Sequence, residues 1–476
     1  MPLFIKQQAA SFNRFIVLLC SIGMLFCSCK KDSFITSPDA RLVLSADTLK
    51  YDTVFASIGS ITQAFKINNA NNRKLLINTV KLMGGAASEY NINVNGIAAR
   101  QVNDIEVAAN DSIYVFVTVN INPTAAALPF IVRDSIEITY NGNTRYVQLE
   151  AFGQNAHFLR NKVIESNTTW VNDLPYVILG GIQIDTGITL TINPGCKIYC
   201  NASAPVLVDG TLIVNGTFEE PVTFTGDRLD DYYRDFPASW PGIYFRQTSK
   251  NNVVQFATVK NAYQALAVQG APDNLNPKLI LAQSVIDNAY DAGIICVNTT
   301  VYAENNLISN CGNNINILLG GAYAFTHCTV ASYPTYIPHQ KPVLSATNFA
   351  EINGSMVTTG LNATFTNCIF WGEGGIVKNE IDIKRQGSDA FTVQFDHCLY
   401  KAETIPANAQ FTNSIQNQYP AFDSIDASKR FFDFRTSLAA NAPGVDKGNP
   451  ITALSLDLDN RQRTDGKPDI GCYEKP

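Results

Sequence analysis

The stretch FTNCIF, residues 365–370, recurs with small changes along the second half of the chain. Each copy starts with an apolar or small residue, has a polar, small or cysteine residue at its fourth position, and usually continues with an aliphatic or aromatic residue. The copies are VQFATV (254–259), LAQSVI (281–286), AENNLI (303–308), FTHCTV (325–330), FTNCIF (365–370), FDHCLY (395–400) and FTNSIQ (411–416). A unit this short cannot bury its apolar residues alone, so the repeat predicts coils that stack and bury a continuous core.

The stretch TLTINPGCKIYC, residues 189–200, extends this pattern upstream. Apolar and polar residues alternate, the alternation stops at Asn193-Pro194-Gly195, and it then resumes, which is typical of short strands separated by turns. Over residues 156–435 the chain resembles the right-handed parallel β-helix of pectate-lyase-like proteins. The resemblance implies an all-β solenoid and leaves the function open, because function depends on sites and not on the fold.

Parallel stacking places equivalent residues of successive copies side by side. The shared first position holds Phe325, Phe365, Phe395 and Phe411, and the shared fourth position holds Cys328, Cys368 and Cys398. Side chains on neighbouring strands run parallel about 4.8 Å apart, whereas a disulfide needs Cβ atoms near about 3.8 Å that point toward each other. We therefore expect these cysteines, and also Cys196 and Cys200, to be free buried thiols. His327 and His397 directly precede repeat cysteines, which predicts that their side chains point outward.

Residues 41–155 differ from the repeat region. NGN (141–143) marks a turn between two alternating segments, and an earlier strand face is predicted from Ile113, Val115, Val117, Val119 and Ile121. The region resembles bacterial immunoglobulin-like modules that stand between a cell anchor and a larger domain. The predicted fold class is thus all-β, with an immunoglobulin-like sandwich followed by a right-handed parallel β-helix solenoid.

The N-terminus has the pattern of a processing segment. The apolar run FIVLLCSIGMLF (15–26) is too short for a permanent membrane span. Ser28 then precedes Cys29, and a polar tail follows at once, which resembles the lipobox of bacterial lipoproteins. The resemblance implies a signal peptide over 1–28 and a lipidated Cys29. An ordinary secretory signal with incidental cysteines is the alternative.

Further expectations follow from the lipobox resemblance. Residues 29–40 are expected to form a tether. The lipid on Cys29 is expected to insert into the membrane, which makes the membrane a partner of the protein. Lys31-Asp32 resembles the export tag of surface-exposed lipoproteins. We therefore expect an outer-membrane lipoprotein of the cell envelope that faces the outside.

Composition limits the possible functions. The net charge is −6 with no basic stripe, which argues against a nucleic-acid partner. Four His and four Met are few for a metal or redox enzyme, and lipase, zincin, P-loop and Rossmann signatures are absent. We expect no metal or other cofactor, apart from the Ca²⁺ that a lyase would use.

The C-terminal residues 436–476 contain DLDNRQRTDGKPDIGCYE (457–474), which resembles a terminal motif of bacterial β-helix surface proteins. The resemblance implies a terminal module of an exported, surface-anchored chain. The open end of a β-helix needs a cover against aggregation. The sequence predicts that an arginine, Arg461 or Arg463, holds this cap against a carboxylate, Asp469 or Glu474.

Two segments are candidates for a site. The insertion GDRLDDYYRDFPASWPG (226–242) is dense in acidic and aromatic residues. Its candidate ligand-binding residues are Asp230, Asp231, Tyr232, Tyr233 and Trp240. The carboxylates suit a hard cation and the aromatic rings suit sugar stacking. The competing interpretation, slightly favoured, is a loop that folds back and buries its aromatic residues.

The second candidate is VKNEIDIKR (377–385), in which Glu380, Asp382 and Lys384 alternate with apolar residues and are expected on one face. Pectate-lyase-like enzymes combine Ca²⁺-binding carboxylates with a Lys or Arg base, so these residues are candidate catalytic groups. An ordinary solvated strand face is the favoured interpretation.

The expected function is non-catalytic: a lipid-anchored envelope protein that presents a β-helix for glycan binding or for a structural or adhesive role. Its partners would be a polysaccharide or another surface protein. The alternative is a polysaccharide lyase or glycoside hydrolase of the pectate-lyase-like class. An enzyme is expected to group a Lys or Arg with several Asp on adjacent coils, whereas a binding protein shows aromatic residues without that group.

Overall fold

The computed structural model of the chain describes residues 33–55, 59–122, 130–436, 438, 441–463 and 466–475. The predicted signal peptide and Cys29 lie outside the described residues. Within these ranges no helix is both long and apolar enough to span a bilayer. The described chain divides into two compact units, the first ending at Gly153 and the second beginning at Gln154.

The first unit consists of two five-stranded sheets, in the orders β1-β3-β8-β5-β6 and β2-β10-β9-β4-β7. Its strands are β1 (Leu42–Leu44), β2 (Thr48–Phe55), β3 (Gln63–Asn69), β4 (Leu75–Leu82), β5 (Tyr90–Val94), β6 (Ile97–Ala98), β7 (Gln101–Val107), β8 (Ser112–Val119), β9 (Phe130–Tyr140) and β10 (Asn143–Gln154), with a 3₁₀ turn at Gly85–Ala87. Pairing is antiparallel, as between β3 and β8 and between β9 and β10. Both sheets bury residues in one shared core, to which β8 contributes its alternate apolar residues.

The second unit is dominated by a 26-stranded parallel sheet. Its strands are β11 (His157–Ile164), β12 (Thr168–Trp170), β13 (Tyr176–Ile184), β14 (Thr189–Ile192), β15 (Lys197–Cys200), β16 (Val206–Val208), β17 (Thr211–Asn215), β18 (Val222–Gly226), β19 (Ile243–Phe245), β20 (Asn252–Gln255), β21 (Ala257–Lys260), β22 (Gln264–Gln269), β23 (Leu279–Ala282), β24 (Val285–Asp287), β25 (Ala292–Glu304), β26 (Leu307–Ser309), β27 (Ile315–Thr326), β28 (Thr329–Ser332), β29 (Leu344–Thr347), β32 (Leu361–Thr366), β33 (Ile369–Gly372), β34 (Ile381–Lys384), β35 (Phe391–Asp396), β36 (Leu399–Tyr400), β37 (Gln410–Thr412) and β38 (Ile415–Gln416). Two antiparallel hairpins stand apart from it, β30 (Phe349–Ile352) with β31 (Ser355–Thr358) and β39 (Ser424–Asp426) with β40 (Phe431–Asp433).

Each strand of the parallel sheet pairs with the equivalent strand of the next coil, so the strands form three faces. Face A is β12, β14, β17, β20, β23, the second halves of β25 and β27, β32, β35 and β37. Face B is the first half of β13, β15, β18, β21, β24, β26, β28, β33, β36 and β38. Face C is the second half of β13, β16, β19, β22, the first halves of β25 and β27, β29 and β34. One continuous apolar core runs inside them from Ile164 to Ala402, which confirms the prediction of an all-β chain with a stacked parallel region.

The register of face A reproduces the alignment of the sequence repeats. The first positions pair in order as Val254, Leu281, Ala303, Phe325, Phe365, Phe395 and Phe411. The four phenylalanines stack inside the core, with ring centroids 5.4, 4.7 and 4.6 Å apart. The wide interval between the copies at 325 and 365 accommodates the hairpin β30–β31.

The third position of every repeat turns the chain from face A to face B. All of its residues adopt the left-handed conformation, with φ between 45° and 56°: Phe256, Gln283, Asn305, His327, Asn367, His397 and Asn413. Asparagine adopts this conformation more readily than most residues, because its side chain hydrogen-bonds locally. One left-handed residue makes the turn, so the seven coils that contain the repeat all bend at the same place.

The fourth position satisfies the backbone at this turn. Its side chain accepts a hydrogen bond from the equivalent backbone N–H of the preceding coil. These bonds run from Ala257 to Ser284 Oγ (3.1 Å), from Ser284 to Asn306 Oδ1 (3.0 Å), from Cys328 to Cys368 Sγ (3.5 Å) and from Cys398 to Ser414 Oγ (3.1 Å). The position therefore favours a small residue that can accept a hydrogen bond, and cysteine has both properties.

The cysteines of the described chain are free and buried, as predicted: Cys196, Cys200, Cys296, Cys311, Cys328, Cys368, Cys398 and Cys472. The single S–H proton of Cys368 can be donated to the carbonyl oxygen of Thr366 (3.2 Å) or to that of Phe325 (3.5 Å). Burial raises the pKa of this thiol well above its usual value, so it remains protonated.

Replacing Cys368 tests whether the fourth position stabilises the solenoid. Cys368→Ser keeps an acceptor for the Cys328 N–H, whereas Cys368→Val leaves that buried donor unsatisfied. We expect the valine variant to lose roughly 2 kcal/mol more unfolding free energy than the serine variant. Urea denaturation followed by tryptophan fluorescence measures this loss in the second unit alone, since Trp170, Trp240 and Trp371 all lie there. Equal losses in both variants would contradict a role for the hydrogen bond.

Candidate functional site

The insertion 226–242 connects β18 of face B to β19 of face C, and Trp240 fixes it to the solenoid. The indole is buried and its Nε1 donates to the Lys260 carbonyl oxygen at 2.9 Å. The ring also stacks with Phe224, at a centroid separation of 6.5 Å. Trp240 is therefore a packing residue, in agreement with the interpretation that the loop folds back over the solenoid.

Two asparagines at the corner between faces B and C hold the backbone of the insertion. Asn261 Nδ2 donates to the Arg234 carbonyl oxygen at 2.7 Å, and Asn288 Nδ2 donates to that of Asp235 at 2.9 Å. Asn288 also donates to Asn261 Oδ1 at 2.9 Å. Both asparagines are buried and left-handed. The insertion is thus attached to two successive coils, which limits the freedom of its side chains.

The predicted acidic residues of the insertion are already paired. Arg228 binds both carboxylate oxygens of Asp230, at 2.8 and 3.1 Å, and Arg234 lies 2.8 Å from Asp231. Across the described residues no group of three or more His, Cys, Asp or Glu is arranged to hold a metal ion. The residues present therefore do not fit the Ca²⁺ that the lyase alternative implies, and no step through Ca²⁺ follows.

The predicted tyrosines of the insertion remain accessible. Tyr232 is 69% exposed and Tyr233 is 39% exposed. With Phe236 and Tyr336 they form an aromatic patch in which rings meet edge to face, at centroid distances of 4.7 Å for the two tyrosines and 4.5 Å for Phe236 and Tyr336. Tyr336 comes from a later insertion, between β28 and β29, and was not predicted as part of the site.

A polar pocket of about 300 Å³ adjoins the aromatic patch, and we call it the corner pocket. It is lined by Arg234, Asp235, Lys260, Asn261, Asp287, Asn288, Asn310, Thr335, Tyr336, Lys429, Arg430 and Phe432. Four of these side chains are basic and two are acidic. The pocket is therefore a mixed-charge site with one aromatic wall, placed at a corner shared by several coils.

Asp287 is one of the two acidic residues that line the corner pocket, and it is half-buried. It accepts hydrogen bonds from Ser309 Oγ at 2.7 Å and from Asn310 Nδ2 at 3.3 Å. Burial raises the pKa of this carboxyl group, and the hydrogen bonds from Ser309 and Asn310 offset part of this rise. A carboxyl group of this kind can donate a proton at a higher pH than an exposed aspartate.

Sequence reasoning missed Asp287, although a signal is present. Lys260, Asp287 and Ser309 each end a face B strand, and the asparagine that follows each of them is left-handed: Asn261, Asn288 and Asn310. This second repeat marks the corner between faces B and C, just as the third position of the first repeat marks the corner between faces A and B. The residue before each asparagine varies from coil to coil. Two of these residues, Lys260 and Asp287, line the corner pocket and give it a basic and an acidic group.

The second predicted site is not assembled as expected. Glu380 is buried instead of sharing an exposed face with Asp382 and Lys384. Its Oε1 lies 2.8 Å from Nε2 of buried His339, and Gly372 makes room for this pair because a Cβ there would collide with both side chains. Asp382 and Lys384 do share a face and pair at 2.7 Å. The expected row of acids and bases is therefore absent from this strand.

The two predicted sites also lie far apart. The insertion 226–242 precedes β19, whereas Lys384 belongs to β34 of the same face. Between these strands face C contains β22, β25, β27 and β29. At about 4.8 Å for each coil, the separation is on the order of 24 Å. Asp230, Asp231 and Lys384 therefore do not line one groove.

The C-terminal segment, the described part of residues 441–475, lies against face B. Leu458, Ile470 and Cys472 pack on the outward residues Leu307, Ile369 and Leu399 in a cluster separate from the solenoid core. Hydrogen bonds join Asn305 Nδ2 to the Leu456 carbonyl oxygen at 2.6 Å and the Gly471 N–H to that of Asn367 at 2.8 Å. These contacts run along the flank of successive coils, which differs from the predicted cover over the open end.

Charged residues tie the C-terminal segment to itself. Arg463 is fully buried and pairs with Glu474, which also accepts the Asp469 N–H at 3.0 Å. Asp469 accepts backbone N–H groups of Asp446 and Lys475. Arg461 does not pair with Asp469 or with the Glu474 carboxylate; its guanidinium lies 3.7 Å from Asp459. Of the predicted arginines, Arg463 is therefore the one that holds the segment together.

His327 is covered by the C-terminal segment, contrary to the exposed position that its outward direction predicted. Nδ1 lies 3.2 Å from the Gly471 carbonyl oxygen, and Nε2 lies 2.9 Å from Asn367 Nδ2. The first contact requires a proton on Nδ1, and the second requires Nε2 to accept. Burial, with a smaller contribution from Arg463, lowers the pKa of His327 to about 3.

His327 is therefore expected to make the second unit sensitive to acid. A group whose pKa is lower in the folded state loses its stabilising contribution as the pH falls below its unfolded value, here about 6.5. Between pH 7 and pH 4 we expect wild type to lose roughly 3 kcal/mol more unfolding free energy than His327→Asn, since Asn suits the left-handed position and does not titrate. Urea denaturation at both pH values, followed by tryptophan fluorescence, measures the difference. The same loss in both proteins would show that His327 is not the sensor.

No protein-family model and no curated protein sequence matches this chain. Part of the chain is similar to the structure of a family 123 glycoside hydrolase from Clostridium perfringens, with a TM-score of 0.19 and 10% identity over 26% of this chain and 30% of that one. Part is also similar to the Salmonella enterica SafA pilin in complex with the SafB chaperone, with a TM-score of 0.17 and 11% identity over 26% of this chain and 57% of that one. The chain thus covers less than two thirds of either protein, and similarity at these TM-scores bears on neither fold nor function.

Proposed function

We propose that this protein is a lipid-anchored protein of the cell envelope that binds a glycan without chemically altering it. The observation that carries this proposal is the aromatic patch on a corner of the solenoid, in which the tyrosines Tyr232, Tyr233 and Tyr336 are exposed and pack around half-buried Phe236. Aromatic side chains combine an apolar face with a polar edge, which suits the faces and hydroxyl groups of sugars. A structural or adhesive role toward another surface protein would use the same exposed position.

The architecture supports presentation away from a membrane. We propose that the first unit is an immunoglobulin-like spacer and that the solenoid is a right-handed β-helix. The two antiparallel sheets that share one core support the first assignment, and the stacked parallel faces support the second. With a lipid on Cys29, such a chain would present the aromatic patch outside the membrane.

The hydrolase alternative is favoured by a different observation. Asp235 and Asp287 both line the corner pocket, and burial raises the pKa of Asp287. Glycoside hydrolysis uses two carboxyl groups, of which one stays protonated to act as the general acid. Lys260, 3.9 Å from Asp235, supplies the basic group on an adjacent coil that an enzyme is expected to have. Release of new reducing ends from a bound polysaccharide would identify this activity.

The lipid anchor is tested by Cys29→Ala. Because acyl chains hold a protein at about 0.8 kcal/mol per buried CH₂, loss of the acylated residue should release the chain. We expect wild type in the membrane fraction and the variant in the soluble fraction, as measured by fractionation and by metabolic labelling with a palmitate analogue. Cys27→Ala, two residues earlier, is the matched control and should remain in the membrane fraction. A Cys29→Ala protein that stays in the membrane fraction would contradict the anchor.

The glycan site is tested by the double variant Tyr232→Ala with Tyr233→Ala. Each stacking contact contributes on the order of 1 kcal/mol, so the loss of both should weaken glycan binding at least tenfold. A glycan array on wild type first identifies a ligand, and calorimetry then compares the variants. Tyr114→Ala with Tyr146→Ala, two exposed tyrosines of the first unit, is the matched control. Absence of binding by wild type, or equal binding by both double variants, would contradict the proposed site.

A further inference from the structure

We propose that the corner pocket binds the acidic group, a carboxylate or a sulfate, of a polyanionic glycan, and that Arg430 is the residue that contacts this group. The inference rests on the proposed glycan-binding function and adds the chemical class of the ligand. In this proposal the corner pocket, which adjoins the aromatic patch, is the part of the site that selects ligands by their charge.

The turn and the aromatic ring beside Arg430 position its guanidinium to bind an anion. It lies at the tip of the hairpin between β39 and β40, where its left-handed φ of 52° ends the turn. The guanidinium carbon lies over the Tyr336 ring, 4.2 Å from its centre, and Arg430 is exposed to solvent. A guanidinium in this arrangement can bind a carboxylate or sulfate through two parallel hydrogen bonds.

The other basic groups of the corner pocket already have acidic partners. Arg234 lies 2.8 Å from Asp231, Lys260 lies 3.9 Å from Asp235, and Lys429 lies 3.1 Å from Asp426. Among the described residues, Arg430 makes no ion pair. This arginine packs on an aromatic ring, is exposed and has no carboxylate partner. Such an arrangement is expected of an anion-binding site.

The charge of the pocket supports the same class of ligand. Four basic and two acidic side chains line it, whereas the whole chain has a net charge of −6. A local excess of positive charge on an acidic protein attracts anions to that place and repels them elsewhere. The excess is small, so the site suits single acidic groups along a sugar chain better than a dense line of phosphates.

The remaining lining residues suit a sugar. Tyr336 belongs to both the corner pocket and the aromatic patch, so a sugar ring stacked on the patch can place its acidic group beside Arg430. Thr335 and Asn310 add a hydroxyl and an amide to the lining of the pocket. Stacking and neutral hydrogen-bonding groups beside one anion anchor favour an acidic polysaccharide over a simple inorganic anion.

The test compares binding of polygalacturonate, dextran sulfate and neutral dextran, together with the neutral members of a glycan array. The variant is Arg430→Asn, because asparagine tolerates the left-handed turn and removes the charge. Arg385→Asn is the matched control, since Arg385 is exposed and lies 5.5 Å from the centre of the Phe391 ring on the same unit. Tryptophan fluorescence confirms that each variant is folded, and Arg430→Lys tests the charge without changing the turn residue to asparagine.

We expect wild type to bind at least one acidic polymer, Arg430→Asn to bind it at least tenfold more weakly, Arg430→Lys to retain part of the affinity, and Arg385→Asn to bind as wild type does. Binding of neutral glycans alone would overturn the acidic ligand and leave the proposed function standing. No glycan binding at all would overturn both proposals. Equal losses in Arg430→Asn and Arg385→Asn, or single-stranded DNA bound as tightly as the acidic polymer, would show non-specific charge attraction and overturn the inference.

Discussion

The second unit depends on a left-handed turn that all seven repeat-containing coils, from residue 254 onward, make in the same place. The third residue of each repeat is left-handed, and the fourth residue supplies a small side chain that accepts the N–H of the preceding coil. A left-handed residue costs energy unless its side chain or surroundings compensate, which explains the three asparagines Asn305, Asn367 and Asn413 at this position. Because the turn fixes the angle between faces A and B, it also fixes the register of all the strands that follow.

The corner between faces A and B is constant in the repeat region, whereas the corner between faces B and C varies in length. The corner between faces B and C accepts the insertions 226–242 and 333–343 without interrupting the parallel pairing of the faces. Asn261 and Asn288 repeat the left-handed solution there and also donate to the backbone of the first insertion. The same side chains thus stabilise the solenoid and position the candidate site, so the groups that face a ligand rest on backbone that the core already holds.

Sequence periodicity predicted the contacts between equivalent positions of the repeat on neighbouring coils. The register of Phe325 on Phe365 and the free thiol of Cys368 follow from stacking identical positions, and both are present. What periodicity does not contain is contact between segments far apart in the chain. His327 points away from the solenoid as its position requires, yet residues 469–472 cover it, and Glu380 is buried by the insertion that contains His339. Tyr336 and Arg430 also come from segments far apart in the chain. The repeat pattern therefore did not predict the corner pocket.

The C-terminal segment connects this long-range packing to the candidate site. The hairpin that carries Arg430 is held in the face B cluster by Phe434, which packs against Phe422 at 5.1 Å between ring centroids. The same cluster contains Leu458 and Cys472 of the C-terminal segment, and Arg435, next to Phe434, binds Asp459 with two hydrogen bonds of 2.6 and 2.7 Å. A buried pair such as Arg463 with Glu474 is a poor source of stability but fixes one arrangement, because a slipped segment would leave both charges unpaired in the interior. The charged motif at the end of the chain therefore does more than cover apolar residues: by setting where the hairpin rests, it sets the distance between Arg430 and the ring of Tyr336, and with it the geometry of the corner pocket.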